Sequence, residues 1–400
     1  MTRRRSSTVR SGALLLSGAL VLLGAITLRS QVLTLPGDPL PNLTPMEFEE
    51  FRLGREDFLE VETAEDGLGP AFNGTSCAAC HNVPAVGGTS TIAEVRAGKY
   101  SAETGYQPLD ASGESLMHLF STPGHVCQPV IPDQANVIVR RVPIPVFGAG
   151  LVEAIDDDTL IALAADQARR SDGVSGRAAM VVDRATGERR VGRFGWKAQH
   201  ATLLAFGADA YRNEMGITND LFPSEMAYGI DEPRMRRCDP FPDPEDIPDP
   251  RTRRRGIDNF ASFMRLLAPV SPGPFDPVAQ TGQSVFNTIG CTACHVPSLT
   301  TGASANPQFH HRPVPLFSDL LLHDVGTGDG IRQASAEPDE IRTPALWGLR
   351  FRRPLLHDGS AATPEDAIRR HAGEAEVARR GFERLGPADR EALLRFLRTL

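Results

Sequence analysis

The sequence predicts a mainly α-helical protein in two domains, with extensive irregular loops and a small β element in the first domain. A C-x-x-C-H motif occurs twice, at 77–81 and 291–295, and each copy follows a stretch with helical spacing. The chain has 37 glycines and 32 prolines in 400 residues, which indicates long ordered loops. With 41% hydrophobic and 23% charged residues, it has the composition of a globular protein with room for two cores.

The individual elements follow from caps and apolar spacing. Thr44 is a good N-cap for a helix over 45–58, and the acidic residues of the first turns suit the helix dipole. Residues 82–135 are rich in Gly, Pro, Ser and Thr, and we expect irregular loops there. The other expected elements are a strand at 136–142, a hairpin at 178–183 and 189–194, and helices at 157–168, 199–213, 257–267, 278–288 and from Pro387 to the C-terminus.

The N-terminus has the pattern of an export signal. Several arginines precede an uncharged run at 11–28, which indicates delivery to the periplasm. This run is near the lower limit for a membrane span and no clear cleavage site follows it, so a cleaved peptide and an uncleaved anchor both remain open. The predicted organisation is a signal peptide or anchor at 1–30, a linker at 31–45, a first domain at 46–273 and a second at 274–400.

The C-x-x-C-H motif is typical of covalent haem attachment. Its two thiols can form thioethers with the haem vinyl groups, and the following histidine can bind the iron. A zinc site would need two more ligands, yet neither motif has another cysteine within 30 residues. We therefore expect two covalently bound c-type haems in two cytochrome c-like domains. Their attachment residues are Cys77, Cys80, Cys291 and Cys294, and their proximal ligands are His81 and His295.

Other features of the sequence are less specific. A net charge of −8 gives no indication of a nucleic-acid partner, although mild acidity would suit a basic redox partner. Cys127 and Cys238 remain after the two motifs, and they form either one disulfide or two separate thiols. Eight further histidines could supply distal ligands, and their spacing does not choose among them.

Several ordered motifs resemble one family. These are 342–349 followed by 354–363, which contains His357-Asp358-Gly359, together with 72–77, 195–198 and 214–219. The chain resembles the bacterial di-haem cytochrome c peroxidases and the related enzyme that matures the methylamine dehydrogenase cofactor. It is most similar to the branch called di-haem or thiol oxidoreductases, over residues 45–400.

The resemblance implies roles for individual residues. His371, 14 residues after His357, would be the sixth ligand of the C-terminal haem. The N-terminal haem would be five-coordinate, or His118 or His125 would reach it. Glu214 would act as the general acid–base on peroxide. Trp196 would relay electrons between the haems, although Lys197 stands where the family has an aspartate. His323 and His357 would pack or contact propionates.

The function implied is that of a periplasmic oxidoreductase. The N-terminal haem would activate hydrogen peroxide or a similar small oxidant, and the C-terminal haem would exchange electrons with a small soluble redox protein. The family also commonly binds a calcium ion between its domains, near the position of Thr343-Pro344. Two alternatives remain open: a pure electron-transfer cytochrome, and a peroxide-driven oxidase of a protein or thiol.

Overall fold

A computed structural model describes residues 1–2, 33–110, 113–122, 127–239, 241 and 247–400. The chain divides into Met1–Leu33 and one compact unit, Thr34–Leu400, which contains every helix and strand described. The apolar run at 11–28 and His125 lie outside the described residues, so the predictions for them stay predictions. Within the described part of the chain, no helix combines the length and the hydrophobicity needed to cross a bilayer.

The first long helix, α1 (Pro45–Leu59), begins where the sequence predicts. Thr44 Oγ1 accepts a hydrogen bond from Glu47 N, and Thr44 N donates one to Glu47 Oε2, which forms a capping box. This helix crosses α7 (Gly256–Leu266) at Gly54, where a Cβ would collide with the Asn259 carbonyl. Helix α2 (Cys77–Cys80), a single turn, carries the first C-x-x-C-H motif.

A second helix crossing lies next to the second motif. Helix α8 (Pro277–Thr288) packs on α11 (Pro387–Leu397), and a Cβ at Gly282 would collide with the Ala392 carbonyl. The rings of Phe286 and Phe396 meet edge to face, with centroids 5.4 Å apart. A short 3₁₀ turn at Cys291–Ala293 follows α8. Each motif thus lies near a close helix crossing.

Most predicted helices are confirmed, and one begins later than expected. The helix predicted at 199–213 begins at Leu203, because Thr202 caps it, and ends in a π-helical turn at Tyr211–Met215. The remaining helices are α3 (Ala149–Glu153), α4 (Asp157–Gln167), α5 (Leu203–Ala210), α6 (Glu232–Cys238), α9 (Pro364–Arg369) and α10 (Glu376–Glu383).

The expectation of irregular loops over 82–135 is wrong for part of that range. It contains β2 (Glu94–Ser101), the central strand of an antiparallel sheet with β3 (Gly105–Gln107), β4 (Leu116–Met117) and β6 (Val137–Arg141). The apolar face of this sheet includes Val95, Ala97 and Met117. Charged and small residues separate these few apolar positions in the sequence, so local composition concealed the strands.

The other strands form two-stranded pairs. The predicted hairpin is confirmed as β7 (Ala179–Val182) and β8 (Arg189–Gly192). Additional antiparallel pairs join β1 (Ala71–Phe72) to β5 (Phe120–Ser121), β9 (Leu299–Thr300) to β10 (Pro313–Val314), and β11 (Leu322–Asp324) to β12 (Glu340–Arg342).

One disulfide resolves the question of the two remaining cysteines. Cys127 and Cys238 are bonded, with Cα atoms 6.1 Å apart and a sequence separation of 111. The four cysteines of the two motifs take no part in a disulfide.

Candidate functional site

The second motif opens into a cavity that it shares with His371. Cys291, Cys294 and His295 form one part of the wall, and His371, which follows α9, lines another. The Nδ1 atom of His295 hydrogen-bonds to the Phe317 carbonyl at 3.0 Å. The Nδ1 atom of His371 likewise bonds to the Ala367 carbonyl at 2.7 Å. A histidine held in this way at Nδ1 keeps Nε2 available for a metal, and both rings therefore have the form of iron ligands.

Burial keeps these imidazoles neutral. It lowers the pKa of His295 to about 4, with a further contribution from His371 nearby. Burial also lowers the pKa of His371. Because a metal binds the neutral ring, both residues are in the protonation state that ligation requires.

Two buried arginines line the same cavity. Arg342 and Arg352 make no ion pair with a carboxylate among the residues that the structure describes, and Arg352 Nε has no hydrogen-bond partner. Burial lowers the pKa of each guanidinium to about 10, so both stay cationic at neutral pH. A buried cation needs an anionic partner, and haem carries two propionates. Together with apolar walls that include Phe286, Leu346 and Leu393, this donor set fits a haem.

The other two histidines of this cavity differ from the candidate ligands. His323 Nε2 bonds to Asp319 at 2.9 Å and its Nδ1 to Glu374 at 2.8 Å, so neither nitrogen is available to iron. Despite burial, these contacts raise the pKa of His323 to about 12, and the ring is an imidazolium. His357 has a buried Nδ1 without a hydrogen-bond partner, and its ring lies 6.1 Å from that of Trp196.

Trp196 is buried in the wall of the same cavity, beside the second motif. Its Nε1 donates to the Val142 carbonyl at 2.8 Å, and the Arg352 guanidinium lies 5.8 Å from its ring centroid. Val142 directly follows β6, the strand that carries Arg141. The indole is therefore connected through one residue to the sheet of the N-terminal half of the chain.

The first motif presents the same histidine arrangement in a different setting. Ser76 caps α2 by accepting from Ala79 N at 3.0 Å. The Nδ1 atom of His81 bonds to the Gly88 carbonyl at 2.9 Å, which leaves Nε2 for a metal. The ring of Phe58 approaches His81 edge-on, with centroids 6.1 Å apart. Burial lowers the pKa of His81, so this ring is also neutral. These residues fit an axially ligated, covalently bound haem.

Glu214 is held against the loop that leads into the first motif. Asn73 N and Gly74 N donate to the Glu214 carbonyl at 2.7 and 3.1 Å, and Asn73 Nδ2 donates to Glu214 Oε2 at 3.0 Å. The next turn requires Gly216, because its φ is +74° and a Cβ would lie 2.7 Å from the Gly69 carbonyl oxygen. The π-helical turn therefore fixes Glu214 beside Cys80, whose thiol pKa is raised by burial and by the charge of Glu214.

The structure adds a second carboxylate, Glu94 of β2, that sequence reasoning missed. Glu94 hydrogen-bonds to Glu214, so the two buried groups share a proton. Burial and the charge of Glu94 raise the pKa of Glu214 well above its ordinary value. Burial acts in the same direction on Glu94, but Arg96 at 2.6 Å and Arg141 at 4.0 Å outweigh it and lower the pKa of Glu94. The pair therefore holds one proton, on Glu214.

His118 lies next to this pair. Its Nε2 bonds to the Asn213 carbonyl at 2.8 Å, while its buried Nδ1 has no hydrogen-bond partner. Burial lowers the pKa of His118 to about 4, so the ring is neutral. Of the two histidines predicted as alternatives, His118 lies in the part of the chain that the structure describes, and it stays the candidate sixth ligand of a six-coordinate N-terminal haem.

The class of protein that these features define is a di-haem protein. Each of the two C-x-x-C-H motifs has a cysteine pair and a histidine whose Nε2 is available to iron. The chain belongs to the family described as "di-haem oxidoreductase, putative peroxidase", whose model matches residues 130–400. This confirms the predicted relationship: the protein is a peroxidase-like, haem-dependent oxidoreductase, and its family implies two haem cofactors.

Three solved structures match this chain at low sequence identity. Hydrazine synthase of Kuenenia stuttgartiensis is 16% identical over 100% of both chains, with a TM-score of 0.41. The diheme peroxidase BthA of Burkholderia thailandensis is 16% identical over 91% of this chain and 86% of its own, with a TM-score of 0.41. A MauG-like protein associated with microbial copper homeostasis is 17% identical over 70% of this chain and 94% of its own, with a TM-score of 0.32. No curated protein matches the sequence.

Proposed function

We propose that the chain is an exported di-haem c-type cytochrome that reduces hydrogen peroxide or a similar small oxidant at its N-terminal haem. Electrons would enter from a small soluble redox protein and pass through the C-terminal haem. The observation that carries this proposal is the hydrogen-bonded carboxyl pair of Glu94 and Glu214, held by Arg96 and Asn73 beside the first motif. The second motif instead faces His371, which suits electron transfer.

Two cytochrome c-like domains, at 46–273 and 274–400, would hold the haems. In support, a close helix crossing accompanies each motif, at Gly54 and at Gly282. The free thiols of Cys77, Cys80, Cys291 and Cys294 would form the thioethers. His81 would ligate the first iron, and His295 with His371 would ligate the second, which bis-histidine coordination would hold in a low-spin state.

The haem iron would supply the redox chemistry at the O–O bond. Reduction of hydrogen peroxide to two waters consumes two electrons and two protons. Glu214 would donate the proton from its carboxyl group to the leaving oxygen, and the Glu94 carboxylate would accept the proton that peroxide loses on binding. Arg96 keeps Glu94 anionic, so the pair has a donor and an acceptor ready together.

Trp196 would lie on the electron route between the two haems. Its ring lines the second cavity, and its Nε1 is bonded to Val142, next to the Arg141 side chain that faces Glu94. Arg342 and Arg352 would bind the propionates of the second haem. Export to the periplasm, with or without an anchor at 11–28, agrees with the oxidising environment in which the disulfide of Cys127 and Cys238 would persist.

Electron paramagnetic resonance of the holoprotein, before and after addition of hydrogen peroxide, tests this function. We expect one low-spin haem, and one high-spin haem whose signal changes rapidly with peroxide. Glu214→Gln should slow the peroxide reaction by about 100-fold or more and leave both resting spectra intact. Glu188→Gln, at an exposed hairpin position, is the matched control. Two low-spin haems that are inert to peroxide would instead identify an electron-transfer protein.

A further inference from the structure

The ammonium group of Lys197 is enclosed by oxygen atoms. Its Nζ donates to the carbonyl oxygens of Glu337, Pro338 and Glu340, at 3.0, 3.1 and 2.7 Å. It also pairs with Asp329 Oδ1 at 3.1 Å, and the Lys197 side chain is 0% exposed. All four oxygens come from the segment that ends in β12, so this segment folds around the cation.

Lysine is a rare choice in this protein. Of its 42 basic residues, two are lysines, Lys99 and Lys197, and the rest are arginines. Arginine also fills other buried positions, including Arg141 and Arg193. A guanidinium is a broad planar fork, whereas an ammonium is a compact point charge. The converging oxygens around Lys197 suit the compact cation and would exclude the fork.

The oxygen set is that of a hard-cation site. Backbone carbonyls and a carboxylate are the ligands that calcium takes in proteins, at 2.3–2.6 Å. The family resemblance implies a calcium ion near Thr343-Pro344, and the carbonyl of Thr343 is poorly suited to bind one. It already accepts hydrogen bonds from Ser318 Oγ at 2.7 Å and from Arg342 Nη1 at 3.1 Å, and the guanidinium would repel a cation.

We propose that the Lys197 ammonium is a covalently tethered cation that occupies a carbonyl–carboxylate cage in place of a metal ion. The ammonium holds the 329–340 segment onto the 195–197 segment. Arg342 strengthens this contact, because its backbone N donates to the Trp196 carbonyl at 2.8 Å and its Nε donates to the Gly195 carbonyl at 2.9 Å. The native protein therefore needs no calcium at this place. This inference is independent of the peroxide chemistry.

The oxygen cage around Lys197 is also linked through ion pairs to the carboxyl group of Glu94 near the first motif. Asp329 Oδ2 accepts from Arg141 Nε at 2.7 Å, and Arg141 lies 4.0 Å from Glu94. Without the ammonium, Asp329 would keep Arg141 but lose its second cation, and the three carbonyls would each lose a charged donor. Backbone N–H groups would still bond to Asp329 Oδ1 and to two of the carbonyl oxygens. A small cation with a high charge could satisfy all four oxygens at once. Removal of the lysine charge should therefore create a calcium site.

The test uses Lys197→Met in the holoprotein with both haems, and Lys99→Met as the control at the other lysine. We expect the thermal midpoint of Lys197→Met to fall by about 5–10 °C. Calcium chloride should restore most of that loss, and titration calorimetry should detect one equivalent of bound calcium. For the unmodified protein, and likewise for Lys99→Met, the thermal midpoint in calcium chloride should equal the midpoint in a chelator.

Several outcomes would overturn the proposal. One is a folded Lys197→Met variant that binds no calcium, and another is an unmodified protein whose midpoint falls in a chelator. If Lys197→Met gives no holoprotein, the double variant Lys197→Met/Asp329→Asn carries the test, because it removes the uncompensated carboxylate. The proposal expects the double variant to fold and to bind no calcium. Its failure to fold would show that lysine packing, rather than charge compensation, is what matters.

Discussion

Glu214 keeps its proton because two effects act in the same direction. Burial penalises the carboxylate, and the negative charge of Glu94 repels a second one, so the pKa of Glu214 is raised. Proton donation to a leaving oxygen needs the protonated form. Activity at the first site should accordingly decline as the pH rises through the pKa of Glu214 and the proton is lost.

Glu94→Gln tests this coupling. The substitution removes the negative charge beside Glu214 and leaves Arg96 without its ion-pair partner, and both changes lower the pKa of Glu214. We therefore expect the reaction to slow, because Gln cannot accept the peroxide proton, and the alkaline limb of the remaining reaction to move to lower pH by about one unit or more. Stopped-flow measurements across pH would detect it. A profile identical to that of the Glu188→Gln control would show that Glu94 does not act on Glu214.

His371→Ala tests the proposed sixth ligand of the second haem. Because Nδ1 is held by the Ala367 carbonyl, Nε2 is the atom that the substitution removes from the iron. We expect the C-terminal haem to lose its low-spin spectrum while the N-terminal haem keeps its own. Electron paramagnetic resonance and optical spectra would distinguish the two haems. His310→Ala, at an exposed position, should change neither, and an unaltered low-spin signal in His371→Ala would place the ligand elsewhere.

Residues were predictable to the extent that their chemistry is local. Cys77, Cys80 and His81 are neighbours in sequence, so their spacing alone indicates haem attachment. Glu94 lies 120 positions before Glu214, and nothing local marks it as a partner. Arg342 and Arg352 were likewise not identified, because a sequence does not show which arginines are buried without a carboxylate.

At the scale of elements, most of the longer helices, strand β6 and the hairpin of β7 and β8 were predicted, whereas the other strands were not. A capping residue followed by periodic apolar positions specifies a helix within a few neighbours, as in α1 and α8. Strand β2 depends on three partners up to Arg141, and its buried charged residues break the apolar pattern. Only the paired sheet shows which side chains lie on each face of β2, and therefore where Glu94 lies.

The crossing of α8 and α11 depends on one glycine. In Gly282→Ala the new methyl group would collide with the Ala392 carbonyl, so the helices must separate. We expect a loss of about 1–3 kcal/mol in the free energy of unfolding. Gly207→Ala is the matched control in α5, because its Cβ would lie 3.4 Å from the nearest atom, and helix propensity alone should make it neutral or stabilising. Equal denaturation midpoints for the two variants would contradict the role assigned to Gly282.

At the scale of the whole molecule, long-range connections join parts that are distant in sequence. The disulfide of Cys127 and Cys238 closes 111 residues and restricts the unfolded chain. We expect the double variant Cys127→Ser/Cys238→Ser to lose roughly 4 kcal/mol of stability and to keep both haems. Chemical denaturation with haem quantification would test this, and reduction of the unmodified protein should reproduce the shift. An unchanged midpoint would mean that the bond contributes little.

The sequence by itself predicted the two haem-binding motifs, most of the longer helices and the family, because each motif or helix signal depends on residues within a few positions of one another. Only the tertiary structure decided which groups meet at a distance: the carboxyl pair of Glu94 and Glu214, the cage around Lys197, and the shared cavity of His295 and His371. The physical reason is burial. A carboxyl, an ammonium or a guanidinium takes on its special role when folding removes water and leaves a chosen neighbour as its partner.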